Sequence, residues 1–188
     1  MSNKYFHFWL LTLGLLLFTN SGFSQPFSNV QFGIGYHNTS QMVKSYSSRW
    51  DLSNSISVSA RTPFYVGDIG LSLNYFDYIP KENSGQIKSI NYSLSIGHSF
   101  NLIKDRLHFY LAAGTGIQKT TILSNNFTER ELFYLAKLEP SFNFKNLIFF
   151  GSFEFRKIFN YERQHLLMYG GGLRVRLFLP EKIQELIK

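Results

Sequence analysis

From Gln25 onward, apolar and polar residues alternate with a period of two, in runs bounded by turn residues. That periodicity predicts β-strands rather than helices. Eight runs stand out, at Val30–His37, Trp50–Arg61, Ile69–Tyr75, Ile90–Gly97, Leu107–Gln118, Leu132–Asn143, Phe149–Arg156 and Leu167–Leu177. Each sets bulky apolar side chains on one face against small or polar ones on the other. Phe32, Ile34 and Tyr36 oppose Gln31, Gly33, Gly35 and His37, and Tyr92, Leu94 and Ile96 oppose Asn91, Ser93, Ser95 and Gly97. In the second run Trp50 and Leu52 are placed on the apolar face with Ile56, Val58 and Ala60.

The links between runs alternate in length. Residues 62–68, 101–106 and 145–146 form short links; residues 38–49, 77–87, 119–130 and 157–166 form longer, more polar ones. Strict alternation puts every long link at one end of an up-and-down antiparallel meander. An even strand number with short turns at one end and long loops at the other is the plan of an outer-membrane barrel.

The character of the two faces decides which is inside. Gly, Ser, Asn and Gln dominate the polar face, which suits a narrow, crowded lumen better than a water-exposed surface. The middles of the apolar runs carry no formal charge, and one charge at the bilayer midplane costs about 2–4 kcal/mol. Tyr36, Trp50, Tyr75 and Tyr134 are predicted near the long-loop ends of outward faces, and Phe100, Phe109, Phe142, Phe144 and Phe149 near the short-turn ends. Two such bands are the aromatic girdles expected at the membrane–water boundaries.

Composition adds limits. The chain of 188 residues is long enough for one domain, has no Cys, and is 18% aromatic but only 16% charged. Its mean hydropathy of −0.10 excludes a polytopic helical membrane protein. At the start, the apolar run Phe8–Phe18 is 11 residues long, well short of the roughly 20 a spanning helix needs. Gly22 and Ser24 then occupy positions −3 and −1 of a cut before Gln25, which is the layout of a secretory signal peptide. Residues 1–24 are accordingly expected to be a cleaved signal peptide, 25–179 a transmembrane β-barrel, and 180–188 a short periplasmic tail. Losing Lys4 takes the net charge from +7 to +6. In the tail, Pro180 opens a segment with Ile183, Leu186 and Ile187 at helical spacing, predicting a short amphipathic C-terminal helix.

With this pattern the chain resembles the small eight-stranded outer-membrane barrels of the OmpA/OmpX type, the outer membrane protein beta-barrel domain family. The resemblance covers Gln25 to Leu179 and rests on strand number, alternation, loop asymmetry and export signal. It implies a protein of the cell outer membrane, inserted by the barrel-insertion machinery, with Gly170–Phe178 as the terminal strand that the machinery reads.

Candidate chemistry is sparse. The inward face of the last three strands carries Lys137, Glu139, Glu154, Arg156, Arg174 and Arg176. Counting from the 145–146 turn sets Lys137 opposite Glu154. A last loop centred near Gln164 sets Glu154 opposite Arg174 and Ser152 opposite Arg176. Acid and base then interleave, and an eight-stranded barrel has just enough interior for side chains to fill. The expectation is a structural charge network that plugs the lumen, with a gated ion path as its alternative. His37 and His108 point inward near opposite strand ends, too far apart to share a metal. His98 and Ser99 are adjacent, face opposite sides and cannot act as a dyad. No cofactor, catalytic or metal motif emerges, so the chain reads as a non-enzyme. Its basic residues are dispersed, which argues against nucleic acid. Those on the long-loop side (Lys44, Arg49, Lys81, Lys88, Lys119, Arg130, Lys157 and Arg163) are expected to meet anionic outer-leaflet headgroups. The reading is a monomeric outer-membrane barrel with a structural or surface-interaction role through its extracellular loops. The alternatives are a soluble lipocalin-like barrel holding an apolar ligand, or a lipid-modifying barrel enzyme.

Overall fold

The computed structural model describes residues 27–42, 50–65, 67–81, 86–103, 106–124, 127–159, 164–180 and 182. The expected signal peptide and the apolar positions of the tail helix lie outside the described residues. The strands are β1 (Asn29–Gln41), β2 (Trp50–Leu52), β3 (Ser55–Phe64), β4 (Gly67–Pro80), β5 (Ile87–Ile103), β6 (Leu107–Ile122), β7 (Phe127–Phe144), β8 (Leu147–Ile158) and β9 (His165–Phe178). Neighbours pair antiparallel in the order β1-β3-β4-β5-β6-β7-β8-β9, and β9 returns to β1, so eight strands form a closed ring. The closing seam runs from Asn29 opposite Phe178 to Gln41 opposite Leu166. Each of the eight strands of the ring pairs on both sides, so the wall closes through backbone hydrogen bonds that need no water, while the short β2 pairs with β4.

Inside and outside follow the expected assignment. Along β1, Gln31, Gly33, Gly35, His37 and Thr39 alternate as buried positions with exposed Phe32, Ile34 and Tyr36. Ile34 is 63% exposed and Leu132 62%, whereas Glu139 is 0% exposed. That inverts a soluble protein: the wall presents its apolar side chains outward and encloses its charges. A lipocalin-like barrel would do the opposite, so the soluble alternative is set aside.

β2 and β3 are the two parts of the single strand that the sequence predicts over Trp50–Arg61. Both pair with β4, but Leu52 stands opposite Tyr78 while Ile56 stands opposite Tyr75, so one extra residue lies between them. This bulge is held by Ser53, whose backbone N–H donates to the Asp77 carbonyl at 2.8 Å and whose Oγ accepts from the Asp77 N–H at 2.7 Å. Asn54 Nδ2 donates to the Tyr36 hydroxyl. An extra residue reverses side-chain parity. Trp50 and Leu52 therefore pack against the interior cluster, not in the outer girdle predicted for Trp50. Of the other girdle positions, Tyr36 and Tyr134 are exposed toward the long-loop end and Phe142, Phe144 and Phe149 toward the short-turn end, whereas Tyr75, Phe100 and Phe109 are half-buried.

The long links are shorter than the sequence suggested, because polar residues there continue the strands. β6 runs on through Ile122 and β7 starts at Phe127, leaving residues 123–126 between them where 119–130 was expected. β7 has 18 residues, whereas crossing a bilayer takes about 9–11. The wall thus projects well beyond the membrane band. Gly170 and Gly172 on β9 allow the close approach of β1: a Cβ on either would collide with the carbonyl oxygen of Tyr36 or Ile34, respectively.

Candidate functional site: the barrel interior

Glu139 organises the middle of the lumen. Strand alternation on β7 points it inward, and three cations converge on its carboxylate. Arg174 of β9 donates through Nη2 to Oε2 at 2.7 Å and through Nη1 to Oε1. Lys137 Nζ lies 3.2 Å from Oε2, and Arg61 Nη1 lies 3.2 Å from Oε1. Three interior guanidiniums have an aromatic face beneath them. Arg61 lies 4.1 Å from the ring centroid of Tyr110, Arg174 lies 4.1 Å from that of Phe150, and Arg156 lies 5.0 Å from that of Phe133. Such stacking partly compensates desolvation of a cation. Gln31 Oε1 accepts from Arg61 Nε and Nη2 at 3.3 and 3.1 Å.

Glu154 and Arg156 form a second pair, with Arg156 Nε donating to Glu154 Oε1. Lys137 stands directly opposite Glu154, as the 145–146 turn requires. The two rows expected across β8 and β9 do not form. Arg174 stands opposite Ile148, Glu154 opposite Met168 and Ser152 opposite Gly170. The last hairpin turns about residue 161, because Lys157 pairs with His165; centring it near Gln164 displaced every partner on β9 by six positions. Arg174 still meets an acid because its side chain crosses over Gly33, where a Cβ would collide with its Cγ, and reaches past β8 to Glu139. Arg176 stands opposite Gln31, nearer the short-turn end.

Two interior features were absent from the sequence reading. Arg61 completes the cluster from the far wall, and its only signal was its place at the end of the polar face of the second run. The other is an apolar layer at the long-loop end. Phe76, Tyr78, Ile87, Phe133, Leu135, Ile158 and Leu166 are buried together, with Trp50, Leu52 and Ile122 packed against them. These residues point inward by parity, but they sit at run ends that the sequence assigned to loops or left unread.

A cavity of about 20 Å³ adjoins Arg61, Tyr110, Glu139 and Arg174, and one of about 160 Å³ lies near the long-loop mouth. A concavity of about 880 Å³ lies on the outer wall around Ala113 and Ala136, between Ile96, Leu111, Phe153 and Leu167. Among the described residues, no group of three or more His, Cys, Asp or Glu side chains is placed to hold a metal. His37 is buried beside Gly170 on the seam, whereas His108 bonds Asn143 at 2.8 Å near the short turns. Ser99 Oγ donates to Asp68 Oδ2 at 2.7 Å while the His98 ring packs edge-on against Phe100, so the adjacent pair is divided between the two faces.

A closed eight-stranded antiparallel ring with an apolar exterior and a charged interior is a transmembrane β-barrel of the outer-membrane type. Solved structures agree. Neisserial surface protein A (NspA) superimposes with a TM-score of 0.56 at 14% identity, over 82% of this chain and 99% of that one. Ail, the attachment invasion locus protein of Yersinia pestis, gives 0.51 at 15% identity, over 80% of this chain and 99% of its own. At these identities the likeness is one of fold. No protein-family model and no curated protein matches the sequence.

Proposed function

We propose that the chain is a monomeric outer-membrane barrel, closed to solutes, with a structural or surface-contact role exercised at its long-loop end. The observation that carries this reading is the Arg61–Glu139 ion pair, which ties opposite walls of the lumen together at 3.2 Å. A permeant solute would have to break it and displace Arg174 and Lys137 as well. The apolar layer around Phe76 and Phe133 forms a second barrier above it. In this reading residues 1–24 are removed on export, the barrel-insertion machinery places residues 25–179 in the membrane, and residues 180–188 form a periplasmic tail. The Lys and Arg side chains of the long-loop end meet anionic headgroups there. The network of Lys137, Glu139, Glu154, Arg156, Arg174 and Arg176, extended by Arg61, serves as an internal brace.

The test combines cell fractionation with conductance across a planar bilayer. The expected result is outer-membrane material whose gel mobility shifts on boiling, and bilayers with no steady current. Soluble protein would remove the membrane placement. Steady single-channel current would replace the brace with a conducting path.

A further inference from the structure

On the outer wall the charges of the long-loop end are not spread evenly. Among the described residues, the outward-facing Lys and Arg of the strands there are Lys88, Lys119, Arg130 and Lys157, all on the adjacent strands β5 to β8. The facing half of the ring, β9, β1, β3 and β4, carries none at that end. Lys81, just past β4, is paired with Asp51 at 2.9 Å. Register sets the sector out in rows. Lys88, Thr121 and Thr128 lie side by side, the next row is Ile90, Lys119 and Arg130, and then come Tyr92, Ile117 and Leu132. Lys119 and Arg130 stand directly opposite each other, where like charges are destabilising. No ion pair holds either of them among the described residues. Glu129 and Glu131 alternate to the inner face and point away from them. Where these rows continue onto β4, the one carboxylate is Asp77, opposite Lys88, and it accepts from the Tyr75 hydroxyl at 2.7 Å. The Thr121 and Thr128 hydroxyls share one hydrogen bond at 3.2 Å, so one of their two hydrogens remains to be donated.

Directly beneath these rows begins an open groove of about 710 Å³ in the outer wall. Ile117 and Leu132 form its near end, one same-face step of about 6–7 Å from Lys119 and Arg130. From there it runs past Tyr92 and Leu94 toward Leu73 and Ala60. We propose that this face binds a membrane lipid with an anionic phosphate headgroup, the phosphate against Lys119 and Arg130 and an acyl chain in the groove. The phosphate relieves the repulsion of the two cations and accepts the hydroxyl hydrogen. A soluble anion would use the charges but leave the groove uncovered, whereas a lipid uses both. This inference rests on the membrane placement proposed above, and narrows the headgroup contact to one sector of the wall and one headgroup chemistry.

The chain has no Cys, so a single Cys introduced into the full chain carries a fluorescent label at a chosen site. Leu94→Cys reports from the groove, and Tyr169→Cys on β9 reports from the far side of the ring. The labelled proteins are refolded into phosphatidylcholine vesicles containing a minor share of phosphatidic acid, with bromine on the acyl chains of one lipid or the other as quencher. Phosphatidic acid should quench the Leu94→Cys label severalfold more effectively per molecule than phosphatidylcholine, and the Tyr169→Cys label no more effectively. Lys119→Gln/Arg130→Gln should bring the two lipids to parity in the groove, in samples that keep heat-shifted gel mobility. Parity without that substitution, the same preference at Tyr169→Cys, or a preference that survives the substitution would overturn the site and leave the barrel in the membrane. Loss of the preference on adding inorganic phosphate at constant ionic strength would assign the cations to a soluble anion instead. Quenching by neither lipid would remove the membrane placement and the site with it. Should the double variant fail to fold, the comparison of two lipids at two label positions still decides the matter.

Discussion

Arg61 and Glu139 belong to β3 and β7, which stand four places apart in a ring of eight, and their side chains meet at 3.2 Å across the bore. The ion pair couples two walls that share no backbone hydrogen bond. It is also asymmetric in its dependence on partners. Glu139 has Arg174 and Lys137 beside Arg61, whereas Arg61 and Arg174 both turn to this one carboxylate and Lys137 also stands opposite Glu154.

That asymmetry predicts unequal mutational costs. Glu139→Ala leaves three cations facing one another away from water and should destabilise the barrel by about 3–5 kcal/mol, the range for breaking a buried ion pair from one side. Arg61→Met keeps the carboxylate neutralised by Arg174 and Lys137 and should cost clearly less. Urea titration of refolded protein, following the heat-shifted gel band, measures both. Equal losses would mean that Arg61 is the essential partner and Arg174 is not.

The outward face predicts a different response to charge. Leu94 and Leu111 are 47% and 46% exposed on the wall. Arg at either position should cost about 2–4 kcal/mol in a bilayer if the site lies at midplane, and little in a detergent micelle that lets the side chain reach water. Folding yield into lipid vesicles compared with micelles checks this. Unfolding in both media would place these leucines in a protein core.

Backbone strain at the tight turn gives a gain of stability. Lys145, between β7 and β8, has φ of 56°, a region that disfavours side chains bearing a Cβ. Lys145→Gly should raise stability by about 1 kcal/mol, read as a higher urea midpoint with unchanged gel mobility. A lower midpoint would show that the Lys145 ammonium, 5.9 Å from the Phe144 ring centroid, outweighs the strain.

Most of the wall was legible in the sequence because a strand's parity is a local property. Phe32, Ile34 and Tyr36 fall on one face of β1 whatever lies beside it, and the absence of charge from such faces already indicated lipid. Register was legible where a turn is tight. The two-residue link at 145–146 leaves one way to pair β7 with β8, so Lys137 meets Glu154. Where the link is longer the same count fails, since each residue of error in the centre of a hairpin moves the partners by two. Arg174 was matched to Glu154 for that reason.

Three features depended on the closed ring. The bulge at Ser53 and Asn54 hides within a run of polar residues, and only β4 and the Tyr36 hydroxyl reveal the extra residue that turns Trp50 inward. The apolar layer of Phe76, Phe133 and Leu166 assembles from strand ends that are distant in sequence. Arg61 finds Glu139 only because curvature and closure bring β3 to face β7. Alternation along the chain determined which side of each strand meets lipid, since that follows from backbone geometry alone. Which inward side chains meet across the lumen was decided by shear and closure, because those set the relative heights of strands that never touch.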